Sequence, residues 1–165
     1  MAACATIELQ IVLWGGRPAA VVPDSIEREL ILPAPPERVW TALTQPAQLG
    51  AWWGTQATID LRPGGEVSFV WDGTDGQRFT SRGIVEVVEP PHRLVFRWQS
   101  EPTVEATTRV EFTLQPHPQG TRLRVVESGF STLPPGWRGP LHERNDRGWP
   151  RALGQLADYL AGRRW

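Results

Sequence analysis

Apolar and polar residues alternate along most of this chain, and the alternation gives way to a helical rhythm in only two regions. Thr6–Leu13 sets Ile7, Leu9, Ile11 and Leu13 against Glu8, Gln10 and Val12, which predicts a strand. Gly15-Gly16-Arg17-Pro18 and Pro23-Asp24-Ser25 read as linker. Residues 1–24 are therefore expected to be an N-terminal extension, and residues 25–165 the domain proper. Ile26–Leu32 alternates again, with Ile26, Arg28, Leu30 and Leu32 on one side, and is stopped by Pro33-Ala34-Pro35-Pro36.

Pro36 suits the first turn of a helix, where a missing N–H costs nothing. Glu37–Leu43 then places Val39, Trp40 and Leu43 at helical spacing. Pro46 opens a second short helix that ends at Trp52-Trp53-Gly54, with glycine as the stop. Strands follow over Ala57–Leu61, Glu66–Trp71, Arg78–Val88, Leu94–Trp98, Thr107–Leu114 and Thr121–Glu127. Turns are expected at Arg62-Pro63-Gly64-Gly65, Asp72-Gly73 with Asp75-Gly76, Glu89-Pro90-Pro91-His92 and Pro116–Gly120. Gly83 predicts a bulge or bend in the longest strand. Each strand has one apolar face, which is the mark of an antiparallel sheet wetted on one side.

The cover for that face is the C-terminal segment. Leu141, Asn145, Trp149, Leu153, Leu156 and Leu160 form one helical stripe, while Arg144, Arg147, Arg151 and Arg163 mostly lie off it. Pro150 is expected to kink this helix after Gly148. Gly129–Gly139, with Phe130 and Trp137 as exposed aromatics, reads as a connector or a flap over a cavity mouth. The order of elements argues for an α+β fold: a curved antiparallel sheet wrapped around a long C-terminal helix, with two short helices after the first strand.

Composition narrows the chemistry. At 165 residues the chain can bury a full core without disulfides or metal. A net charge of −1 and the lack of any basic run argue against nucleic-acid or membrane partners. Every basic residue is arginine, so no lysine can form a Schiff base. Cys4 is the only cysteine, which excludes an internal disulfide and suits a reducing cytoplasm. His92, His117 and His142 have no metal-ligand spacing, so no metal and no cofactor are expected. Nucleophile-elbow, phosphate-loop and dinucleotide patterns are absent.

Nine tryptophans are the unusual number. Phe69, Trp71, Phe79, Trp98 and Phe112 fall at strand positions able to face the helix, and they can wall a ligand pocket or fill a core. The indoles of Trp52 and Trp53 are expected to point in different directions, either both packed or one inward and the other at the pocket mouth, and Trp53 is the candidate ligand contact of the two. Trp149 anchors the helix or lines the cavity. Asn145 interrupts the apolar stripe, where an amide must find partners or face a wet cavity. It is the candidate polar contact for ligand.

Ala34–Thr44, Trp52-Trp53-Gly54, Leu61–Gly65, Gly83–Leu94, Ser128-Gly129-Phe130 and Gly148-Trp149 form an ordered series. This series resembles the START-like (SRPBCC) superfamily and, within it, homologues of the heat-shock-protein-90 ATPase activator. The resemblance implies a helix-grip fold with a cavity between sheet and C-terminal helix. A small apolar ligand, aromatic or lipid-like, is the partner it implies. A cyclase- or hydrolase-type enzyme and a chaperone-associated module are the alternatives. The lack of a second co-chaperone domain argues against a chaperone partner, and a homodimer is left open.

Overall fold

The computed structural model describes residues 21–72, 76–99, 101 and 103–163. The strand expected at Thr6–Leu13, the Cys4 thiol and most of the Asp72–Gly76 turn lie outside the described residues. Strand β1 (Ser25–Leu32) is followed by helices α1 (Pro36–Thr44) and α2 (Pro46–Trp53). Six strands come next: β2 (Gln56–Ile59), β3 (Glu66–Asp72), β4 (Arg78–Glu89), β5 (Arg93–Trp98), β6 (Thr108–His117) and β7 (Gly120–Ser128). A single 3-10 turn (Phe130–Thr132) leads into α3 (Pro135–Leu160). All seven strands form one antiparallel sheet in the order β1-β7-β6-β5-β4-β3-β2. This is the α+β helix-grip architecture.

Among the described residues, pairing of β1 with β7 is the only non-sequential neighbour contact, and its register sets Ile26 opposite Glu127 and Leu30 opposite Leu123. Asp24 closes the joint: its carbonyl accepts the Gly129 N–H at 3.0 Å, and its carboxylate accepts the Ser131 N–H at 2.7 Å. Hydrogen bonding from the Ser131 side chain, then from its N–H, holds the Asp24 carboxyl below its ordinary pKa against a smaller opposing effect of burial. Gly54 ends α2 in the left-handed conformation at φ 68°. Gly83 lies in β4 because a Cβ there would come within 1.8 Å of the Arg97 carbonyl of β5. The irregularity in β4 falls between Val85 and Val87, beyond the glycine where a bulge was expected.

The alternating residues predicted to share one face form the core: Leu32, Val67, Phe69, Val85, Leu94, Phe96, Val110, Phe112, Leu123 and Val125 are all buried. From α3, Leu141, Trp149, Leu153 and Leu156 close onto them, as the stripe predicted. The helix is 26 residues long, about 39 Å. It runs through both Pro140 and Pro150. Its first turn lies inside the expected connector, so Gly129–Gly139 is a 3-10 turn and a helix start rather than a flap. Phe130, expected to be exposed, is fully buried and meets His142 edge-on at 4.9 Å. Trp137 is exposed as expected.

Proline at position 150 leaves the Asp146 carbonyl without its helical donor. Arg28 of β1 supplies a substitute: Nη2 donates to that carbonyl at 3.3 Å and to the Asp146 carboxylate at 2.5 Å. Arg28 shares the inner phase of Ile26 and Leu30, which aims it at the helix rather than at solvent.

Candidate functional site

Glu127 continues the inward phase of Leu123 and Val125 and is completely buried. A buried carboxyl group must be satisfied by hydrogen bonds, and four neutral groups converge on it. Oε1 accepts from Trp98 Nε1 at 3.1 Å, Thr108 Oγ1 at 2.5 Å and Asn145 Nδ2 at 2.9 Å. Oε2 accepts from Trp149 Nε1 at 2.7 Å. Strands β5, β6 and β7 are thereby tied to the middle of α3 through one side chain.

Around this polar knot the aromatic residues pack ring to ring. Trp53 contacts Trp52, Phe69, Trp71, Trp98 and Trp149, with centroids 5.3–6.3 Å apart. Phe96 and Phe112 extend the cluster, and Phe112 meets Trp149 edge-on at 5.9 Å. Trp52 and Trp53 do not diverge as expected. Their indoles are stacked, 4° from parallel at 5.4 Å, and Trp52 Nε1 donates to the Ala42 carbonyl at 2.9 Å. Trp52 is buried and Trp53 half-buried.

The space expected between sheet and helix is divided as a result. In its middle a void of only about 10 Å³ remains, lined by Leu43, Trp52, Phe69, Phe112 and their neighbours. That is room for no more than one water. At one end the sheet and helix part to leave an open cleft of about 380 Å³, bounded by Trp71, Phe79, Ser81, Trp98, Glu101, Arg144 and Asn145. A smaller recess of about 170 Å³ shares Trp98, Arg144 and Asn145 and reaches Trp53, Trp149 and Ala152. Trp71, Phe79, Trp98 and Asn145 thus meet at the cleft, with Trp53 and Trp149 beside it. Phe69 and Phe112 belong to the packed interior. Phe79, opposite Trp71 in register, is 49% exposed, so the cleft has a free apolar wall.

The rim is polar. Arg144 Nη1 donates to Glu101 Oε2 at 3.1 Å, joining the segment after β5 to α3. Burial pushes the Glu101 carboxyl up, but bonds from Thr103 and Arg144 outweigh it and leave the pKa below the ordinary value. Ser81 is buried, and its hydroxyl donates to the Gln99 carbonyl. Glu127, Thr108 and the Arg144–Glu101 pair were not singled out from patterning. For Glu127 the signal was its phase with Leu123 and Val125; for the ion pair, 43 positions apart, there was none. Among the described residues no group of histidine, cysteine or carboxylate side chains could hold a metal ion, and no helix is long and apolar enough to cross a membrane.

Residues 33–161 match the family model described as Activator of Hsp90 ATPase homolog 1-like protein. Among solved structures, protein MLL2253 from Mesorhizobium loti is similar at 27% identity and a TM-score of 0.70, covering 86% of this chain and 99% of that one. Protein NE0264 from Nitrosomonas europaea matches at 27% identity and 0.70, over 84% and 94% of the two chains. DynU16, from the dynemicin biosynthetic locus, is 29% identical with a TM-score of 0.67, over 84% of this chain and 48% of its own. No curated protein matches the sequence closely enough to count as a relative.

Proposed function

The chain belongs to the Activator of Hsp90 ATPase homolog 1-like protein family, and from that premise we propose that it is a cytoplasmic START-like domain binding a small aromatic molecule in the cleft at the open end of its helix grip. The observation that carries this reading is the cleft itself, whose 380 Å³ suits a one- or two-ring ligand. Its walls are aromatic: Trp71 and Phe79 from paired strands, and Trp98 from β5. Its polar groups include Asn145 and Arg144 from α3, Glu101 from the segment after β5 and Ser81 from β4. A bound ring would stack on the exposed face of Phe79 and meet Trp71 and Trp98, while the packed rings behind keep those walls rigid. Trp53 and Trp149 would back the recess.

Calorimetric titration with 2-naphthol tests the proposal. Replacing both Trp71 and Phe79 by alanine removes two ring contacts, each worth about 0.5–1.5 kcal/mol beyond area burial, so binding should weaken roughly tenfold or more. Unchanged affinity in that double variant would place the ligand elsewhere.

A further inference from the structure

Glu127 determines which way the Asn145 amide faces. The indole N–H groups of Trp98 and Trp149 can only donate, and they reach Oε1 and Oε2 at 3.1 and 2.7 Å, so both carboxyl oxygens act as acceptors. Asn145 meets Oε1 at 2.9 Å and must present its amine there. The amide carbonyl Oδ1 is then the atom left for the cleft that Asn145 lines. Arg144 Nε donates to Oδ1 at 3.4 Å, which uses one of the two lone pairs of the carbonyl oxygen and leaves the other for the cleft.

A second polar group in the cleft is committed in the same sense. The Ser81 hydroxyl spends its hydrogen on the Gln99 carbonyl, which leaves lone pairs for anything in the cleft. Glu101, at the rim, is a carboxylate that already accepts from Thr103 and Arg144. The donors of Arg144 that reach Glu101 and Asn145 are likewise engaged within the wall.

Building on the proposed function, we infer that the cleft selects aromatic molecules bearing a hydrogen-bond donor, a phenolic hydroxyl or ring N–H, which Asn145 Oδ1 accepts. Glu127 is a positioning residue in this scheme: it touches no ligand and fixes the amide so that its oxygen, rather than its amine, meets the ligand. An ether or carbonyl oxygen in the same place would face Oδ1 lone pair to lone pair.

The test is a matched pair, 2-naphthol and 2-methoxynaphthalene, titrated calorimetrically into the full chain at neutral pH. The naphthol should bind roughly tenfold tighter, the effect of one well-placed hydrogen bond against an unpaired acceptor. In Asn145→Leu that ratio should fall at least threefold. Glu127→Gln, which frees the amide to turn, should lower it as well, a change in preference that simple loss of stability would not produce. If both compounds bind wild type equally, the donor preference is wrong while the cleft reading stands. If neither binds, both fail. A ratio that persists in Asn145→Leu would remove Asn145 as the acceptor.

Discussion

Glu127 is the residue on which sheet and helix agree. Replacing it by glutamine sets an amine among four donors, and each buried donor left without an acceptor costs about 1–3 kcal/mol. Glu127→Gln is therefore expected to lower unfolding stability by about 2 kcal/mol in urea titrations, whereas an unchanged midpoint would mean that water already satisfies the site. The position was legible in principle, because Leu123 and Val125 fix the inward phase and Glu127 continues it. It was hidden because a charged residue at the end of a strand reads as the place where burial stops. Asn145 shows the converse. Its place on the apolar stripe flagged it, but the partner that satisfies it lies 18 positions away on another element, and no spacing rule could supply that. Phe130 read as exposed because its neighbours are Gly129, Ser131 and the prolines beyond. The 3-10 turn that Asp24 holds against β1 turns its ring inward.

At the scale of elements, strand alternation was enough to predict the sheet, and the errors collect where local composition and packing disagree. Pro134, Pro135, Gly136, Gly139 and Pro140 look like a loop, yet Pro135 occupies the first helical turn, where its missing N–H costs nothing. Buried Leu133 and Leu141 anchor this start of the helix. The middle of α3 depends on Arg28, which replaces the hydrogen bond that Pro150 cannot donate. Arg28→Met is expected to cost about 1–2 kcal/mol, at the low end for a hydrogen bond to a charged group because the Arg28–Asp146 pair is partly exposed. Pro150→Ala restores the N–H, so the same Arg28→Met change should cost less in the Pro150→Ala background. A double-mutant cycle by thermal unfolding reads this coupling; strictly additive costs would mean that Arg28 acts only through the Asp146 carboxylate.

Over the whole molecule, the two faces of the sheet divide the work. The inner face holds the rings and the cleft. The outer face carries a ladder in which Glu86 accepts from Arg97 and Arg109 at 2.5 and 2.9 Å, and Glu111 from Arg93 and Arg109 at 2.8 and 2.7 Å. Bridging two carboxylates from one side chain suits the guanidinium fork, which gives the all-arginine composition a structural use. The bond from Arg93 leads in holding Glu111 below the ordinary value of 4.5; at Glu86 burial opposes, and the two arginines prevail. Depressed carboxylate pKa values stabilise the fold above the unfolded-state value and lose that contribution as pH falls through the folded-state value. The melting temperature should therefore decline as pH drops from about 5 to about 3. Glu111→Gln should flatten that decline, and an identical slope in the variant would remove the ladder as its cause. The curved sheet, the gripping helix and the aromatic supply were readable from the chain alone. The division of the interior into packed rings and an open cleft was not, because it depends on how Trp52 and Trp53 stack. The most direct measurement is a two-dimensional amide spectrum of the nitrogen-15-labelled protein during 2-naphthol addition, in which each indole N–H gives its own peak. The cleft account predicts shifts at Trp71 and Trp98 with Trp52 and Trp137 unmoved; shifts confined to Trp137, or none at saturating ligand, would contradict it.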